Sequence, residues 1–388
     1  MTSERTGNYV QQLFGELAYK AFIPKPLPPE PSLDLNSELM VLLSRADQAI
    51  GRLDGALKSI PNHELLVMMY IKKEAVLSSQ IEGTQASLFD VLEKEEDVLA
   101  GRVADDVRVT LNYIDAMNYG LKRINELPLS LRLIKEIHKI LLAGVRGEEK
   151  YPGEFRKSQN WVGPKGCILK NATFVPPPVF EMNQVLGDLE KYLHREKTYP
   201  ILIETGLIHV QFETIHPFVD GNGRIGRLLI TLLLCANKII SQPILYLSYY
   251  FKKNRQEYYD LLTRIRELGN WEAWLKFFLK GVAEISDNVV ELSNRIVELQ
   301  EKNKDLVRKA LPRYSSHAIE LLERMYIHPV FTINKAKESC GITYNTAKSI
   351  VQKFIALKIL NETIGKKRNR KYFFKEYIDL LNEGTELK

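Results

Sequence analysis

Apolar residues recur three and four positions apart from residue 33 to about 124, and the spacing returns over most of the chain beyond residue 178. That periodicity commits the sequence to helices. Gly51, Pro61 and Gly83 break the first run, with Asn62 suited to an N-cap and Gly83 to a C-cap. Further helices are expected at about 129–142, 181–193, 201–215, 222–237, 254–268 and 271–301. Against this pattern stands residues 144–178, a glycine- and proline-rich stretch without helical periodicity that ends Pro176-Pro177-Pro178. So long an irregular segment inside a helical protein is uncommon and usually functional. Within it, 168–170 and 173–175 flank Asn171-Ala172 and are expected to pair as a small β-hairpin. Nearer the N-terminus, residues 24–32 (PKPLPPEPS) hold five of the 17 prolines and read as an extended arm.

At 388 residues the chain exceeds what one hydrophobic core usually serves, and its 45% hydrophobic and 26% charged content is that of an ordinary soluble protein. The expected fold class is mainly α. Residues 1–110 form an N-terminal helical region, 111–285 a helical core with a short β-hairpin flap, 286–312 a helical linker and 313–388 a C-terminal module. In that module, helices at 316–326, 332–340 and 343–357 precede the basic run Gly365 to Lys371 and then Tyr372-Phe373-Phe374. Three short helices and a basic hairpin outline a winged helix. The net charge of +6 permits contact with nucleic acid without demanding it. Cys167, Cys235 and Cys340 are scattered and odd in number, which argues against a disulfide framework and favours a reducing cytoplasm. The N-terminus lacks a basic start followed by an apolar run, and no apolar run approaches the roughly 20 residues that span a bilayer. A cytoplasmic protein without membrane contact is expected.

Residues 216–227, HPFVDGNGRIGR, concentrate reactive chemistry. His216 ends one helix and is the side chain best suited to take a proton near neutral pH. Asp220 offers a hard carboxylate oxygen of the kind that holds Mg²⁺ together with substrate phosphates. Gly221-Asn222-Gly223 frees the backbone to bring N–H groups against an anion where the next helix begins. Arg224 and Arg227, three apart, put two guanidinium forks on one helix face. A base, a metal ligand, an anion cradle and two phosphate clamps suit attack by a hydroxyl on a metal-bound phosphate. The competing chemistry is a hydrolytic metal site of His209, His216 and Asp220. It leaves both arginines and the Gly-Asn-Gly turn unexplained, and a satisfied core histidine is the expected role of His209.

This segment resembles the Fic family, whose motif His-x-Phe-x-Asp/Glu-Gly-Asn-Gly-Arg-x-x-Arg it matches at every position, and the resemblance extends over roughly residues 30–285. It implies a Fic-type helical core and transfer of AMP from ATP to a Ser, Thr or Tyr hydroxyl of a target protein, with Mg²⁺ as cofactor. His216 would be the base and Asp220 the metal ligand. Asn222 and the loop N–H groups would hold the α- and β-phosphates, Arg224 the β-phosphate and Arg227 the γ-phosphate, with Phe218 anchoring the loop. Periodicity alone reads Glu82 as a solvated residue beside Gly83. The resemblance instead implies an inhibitory helix carrying Ser78, Glu82 and Gly83, in which Glu82 pairs with Arg227, and which in some relatives also serves removal of AMP. It further implies a flap of Trp161, Val162, Gly163, Thr173, Phe174 and Val175 that pairs with the target as an added strand. Tyr258 and Tyr259 resemble the aromatic pair of the adenine pocket.

In the winged-helix reading, Tyr344, Asn345, Lys348 and Lys353 face outward. Lys366, Lys367, Arg368, Arg370 and Lys371 line the wing, a spacing suited to DNA phosphates. The alternative function is therefore a DNA-binding transcriptional regulator using the helical core as a nucleotide sensor, against which an intact His216 argues. A homodimer is the default expectation for assembly.

Overall fold

The computed structural model describes residues 4–58, 63–94, 104–145, 150–164, 166–363 and 370–386. The expected cap at Asn62, after Pro61, lies outside them, as do Lys366, Lys367 and Arg368. The chain opens with an antiparallel hairpin, β1 (Gly7–Gln12) and β2 (Tyr19–Pro24). The helical body follows: α1 (Ser37–Lys58), α2 (His63–Ile81), α3 (Leu88–Lys94), α4 (Asp105–Arg123), α5 (Leu131–Leu141), α6 (Val179–His194), α7 (Ile201–Ile215), α8 (Asn222–Ala236), α9 (Ser248–Lys253), α10 (Arg255–Leu268) and α11 (Trp271–Ala310). A C-terminal module completes it with α12 (Ser315–Ile327), β3 (Val330–Thr332), α13 (Ile333–Cys340), α14 (Tyr344–Ala356), β4 (Asn361–Glu362), β5 (Lys371–Phe373) and α15 (Lys375–Asn382). Its strands are antiparallel in the order β3-β5-β4.

The centre of the fold is α7, whose residues from Leu202 to Ile215 are all buried. A helix buried on every side keeps no solvent face, and it sits inside a ring of others. Around it pack α6, α8, α10 and α11. The second half of α2 is as deeply set, with every residue from Ile71 to Ser79 buried, and it lies against α4, α8 and α9. The 40-residue α11 runs from the core through the expected linker without a break, with α1 along one side and α12 and α15 near its far end. Side chains of every helix from α1 to α15 join one continuous apolar cluster. Among the described residues no helix is long and apolar enough to cross a membrane, and the three cysteines are free.

Two sequence expectations are corrected here. Residues 168–170 do not pair with 173–175. Asn171 accepts the Ile168 N–H on its side chain and returns its own N–H to the Ile168 carbonyl, curling Leu169–Asn171 into a 3₁₀ turn. Phe174 instead bridges to Val162, through Val162 N–H to Phe174 O at 2.8 Å and the reverse bond at 3.0 Å. The second correction concerns the N-terminal segment, which forms a sheet rather than a mere lead-in to the proline arm. It tucks in because Phe22, 1% exposed, lies against Phe174, and because Phe22 N–H donates to Val175 O.

Candidate active site

The loop between α7 and α8 is pinned before any ligand is considered. His216 caps α7 at φ +49, a left-handed conformation that costs a non-glycine residue energy and persists only where neighbours enforce it. Arg156, fully buried, donates from Nε to the His216 carbonyl at 3.1 Å, and its own N–H donates to Pro217 O. Asn160 donates to Phe218 O at 2.8 Å. Asn222 closes the loop on itself, accepting the Phe218 N–H and donating to the Phe218 carbonyl, each at 2.8 Å. Its side chain is thus committed to the loop, and what it presents to an anion is its backbone N–H. Phe218 is fully buried and stacks on His138, ring centroids 3.7 Å apart. His138 accepts the Gly153 N–H at Nδ1, so its Nε2 carries the proton donated to Asp220 O.

Gly221 takes φ +80, the left-handed turn that starts α8. The first amides of α8 have no intrahelical acceptor and face outward from the turn. Arg224 is buried, reaches Asp220 only at 3.5 Å, and leaves Nε and Nη1 without a partner among the described residues. Unpaired buried guanidinium N–H groups at a helix N-terminus are suited to an anion. Asp220 is half-exposed and accepts from Lys150 at 2.7 Å and from the Gly221 N–H at 2.6 Å. Burial alone would raise its pKa, but Lys150 and Arg224 outweigh that and hold it below the usual carboxylate range. The donor set fits Mg²⁺, which needs one or two carboxylates and completes its shell with phosphates and water. No cluster of three metal-ligating side chains occurs among the described residues.

His216 donates from Nδ1 to Glu213 O at 3.3 Å. Its setting pushes its pKa down to about 4, desolvation being the main cause, so the ring is neutral at physiological pH. Arg227, 3% exposed, is occupied: Nε donates to Ser78 Oγ at 2.9 Å, and Nη2 donates to Ser78 O at 3.0 Å and to Glu82 Oε1 at 2.6 Å. Glu82 Oε1 rests over Gly223, where a Cβ would lie 2.2 Å from it, so only glycine admits it. Burial would raise the Glu82 pKa, and Arg227 overrides it to hold the carboxyl low. Gly83, at φ +97, ends the helix as expected.

Glu82, His216, Gly223 and Arg227 line one cleft of ≈ 530 Å³ with Tyr258, Tyr259 and Arg266, roofed by Val162, Gly163, Thr173 and Phe174. Tyr259 is exposed on its wall, whereas Tyr258 is buried and holds His209 Nε2 at 2.9 Å. His209 also meets Gly226 O at 3.0 Å through Nδ1. With both nitrogens engaged, it is the satisfied core histidine expected of it. In the flap, Trp161 and Val162 are exposed, but Phe174 and Val175 are buried, with Arg266 4.0 Å over the Phe174 ring. The 173–175 segment bonds Val162 on one side and Phe22 on the other, so both its sides are taken and 161–163 forms the outer edge of this layer. In the C-terminal module Tyr344, Asn345, Lys348 and Lys353 are exposed, and Arg370 pairs with Glu362 at 2.8 Å.

Sequence reasoning missed Arg156, Asn160, His138, Lys150 and Glu213. The signal for Arg156 was faint, a charged residue inside a glycine- and proline-rich loop. His138 shares the apolar face of Ile134, Ile137 and Leu141, where a polar ring is out of place unless bonded.

Residues 40–122 match the model of the Fic/DOC family N-terminal region and residues 128–234 that of the Fic/DOC family. The chain is 30% identical over 205 residues to a probable protein adenylyltransferase of Aquifex aeolicus, covering 50% of this chain and 55% of that protein. It is 30% identical over 217 residues to the protein adenylyltransferase Fic of Drosophila grimshawi, covering 53% of this chain and 41% of that one. It thus spans about half the length of the curated relatives it matches. A Fic family protein from Desulfovibrio desulfuricans G20 shares the fold, with a TM-score of 0.57 at 17% identity over 88% of this chain and 97% of that one.

Proposed function

The chain belongs to the Fic/DOC family, and we propose that it is a protein adenylyltransferase held in check by its own α2. The observation that carries this reading is the Glu82–Arg227 ion pair in the same cleft as a neutral His216. A histidine that donates its Nδ1 proton to the Glu213 carbonyl keeps Nε2 as an acceptor, free to take the proton of a target hydroxyl. The hydroxyl oxygen then bonds to the α-phosphorus of ATP, the bond to the bridging oxygen breaks, and pyrophosphate leaves. Arg224 and the first amides of α8 receive the β-phosphate, and Arg227 receives the γ-phosphate once Glu82 withdraws. Asp220 would hold Mg²⁺, which would supply charge neutralisation for the phosphates. With Glu82 seated, its carboxylate both occupies Arg227 and repels the γ-phosphate, so the nucleotide cannot settle for in-line attack. A target segment adds as a strand along the open 161–163 edge. The C-terminal module, read as a winged helix, presents α14 outward to bring a target or nucleic acid to the enzyme. A cytoplasmic location suits three free cysteines.

The test uses Mg²⁺ and ATP labelled at the α- or the γ-phosphate, with wild type, Glu82→Gly and His216→Ala side by side and the protein as its own acceptor. Label retained only from the α-position, stronger by about tenfold or more in Glu82→Gly and absent in His216→Ala, is the expected result. Label from the γ-position would make the protein a kinase-like enzyme instead.

A further inference from the structure

The cleft holds a carboxyl group for which the chemistry above has no use. Glu213 lies one helical turn before His216 on α7, lines the cleft and is 8% exposed. Its Oε1 sits so close over Gly226 that a Cβ there would lie 2.2 Å away. That oxygen is shut off from solvent and has no hydrogen-bond partner among the described residues. Arg227 and Arg266 act on the carboxyl electrostatically, yet both are occupied elsewhere. Arg227 gives its N–H groups to Ser78 and Glu82, and Arg266 donates to Thr263 and covers Phe174. Burial pushes the Glu213 pKa up to about 7, with Arg227 pulling against it.

A buried carboxyl without a partner is costly, and the cost is removed if the side chain turns that oxygen from Gly226 into the cleft and whatever fills the cleft brings a donor. A triphosphate brings only acceptors. The donor must come from the nucleoside, and the position of Glu213 selects which part of it. Glu213 lines the same cleft as Arg227, which marks the phosphate end, and Tyr259, the exposed ring against which a base would lie. The joint between phosphates and base is the sugar. We propose that Glu213 accepts a hydrogen bond from a ribose hydroxyl and makes the cleft selective for ribonucleotides over their deoxy counterparts. The assignment rests on the nucleotidyl-transfer reading and extends it from the phosphates to the sugar. It also gives Gly226 a purpose, since any side chain there would displace the carboxyl.

The experiment is calorimetric titration of the full chain carrying Glu82→Gly with ATP, 2′-deoxy-ATP, 3′-deoxy-ATP and inosine triphosphate. It is repeated with Glu213→Ala or Glu213→Gln added. Loss of the recognised hydroxyl is expected to weaken binding about tenfold in the parent. That difference should vanish in Glu213→Ala and persist in reduced form in Glu213→Gln, whose amide oxygen still accepts. Should the alanine variant fail to fold, the glutamine variant decides. The proposal is overturned if both deoxy nucleotides bind the parent like ATP, if the discrimination survives Glu213→Ala, or if inosine triphosphate alone is rejected. In each of those cases ATP binding and α-label transfer by the parent would leave the adenylyltransferase reading standing. A parent that neither binds ATP nor transfers label overturns both.

Discussion

At the scale of single residues, the site works by controlling which protons and charges are available. A histidine with a pKa near its ordinary 6.5 would be half protonated in mildly acidic solution and lost as a base. His216 is shifted down to about 4, so the base form prevails at every pH well above that value. For Glu82→Gly, kcat/KM for ATP should therefore hold level from pH 8 through 6.5 and fall only as pH approaches about 4 to 5. Removing Glu82 takes away a charge that raised the His216 pKa, so the variant keeps the sign of the effect. A midpoint near 6.5 in a pH–rate series would contradict it. The motif made His216, Asp220 and both arginines legible in the sequence because each is a reactive type at fixed spacing. Asn222 was legible as a position but not as a role, since only the folded loop shows its amide spent on Phe218. Arg156 and Asn160 act from some 60 residues away in sequence, and no local pattern announces such contacts.

At the scale of elements, helices with strong periodicity, such as α5 and α10, fall where the spacing of apolar residues places them. What the spacing missed is short and non-local. The hairpin of β1 and β2 has its purpose in Val175 and Phe174, more than 150 residues on, and the curl at Leu169–Asn171 depends on one asparagine side chain. The flap is thus a third layer laid on β2 rather than a free loop. Phe22→Ala, which empties a fully buried site between them, should lower unfolding free energy by about 3 kcal/mol. It should also speed hydrogen exchange at the Val162 and Phe174 amides, read by mass spectrometry. Unchanged exchange in the flap would show that β2 does not support it.

At the scale of the whole molecule, the chain's last residues reach back to α2. Gln80, two residues before Glu82, donates to Thr385 O at 3.0 Å, and Lys252 joins Gln80 Oε1 at 2.7 Å to Glu386 O at 2.8 Å. Arg295 grips Glu383 with both Nη atoms, at 2.9 and 2.7 Å, and Gly384 packs on Tyr249. Removing residues 383–388 deletes the bonds made by Glu383, Thr385 and Glu386 while Glu82 stays, and each such bond contributes about 1 kcal/mol. Transfer of α-label should rise about fivefold over the intact chain, short of Glu82→Gly, and α2 amides should exchange faster. Equal label in the truncated and intact chains would sink this expectation.

The two ends of α11 meet different parts of the protein. Trp274 bonds Gly206 O beneath the cleft, and Val307 lies buried near α12. At 1.5 Å per residue, an unbroken 40-residue helix is about 60 Å long. The C-terminal module, seated on the far part of this rod and tied through Thr385 to Gln80, therefore keeps one place relative to α2, so that a load on the module reaches the helix that carries Glu82.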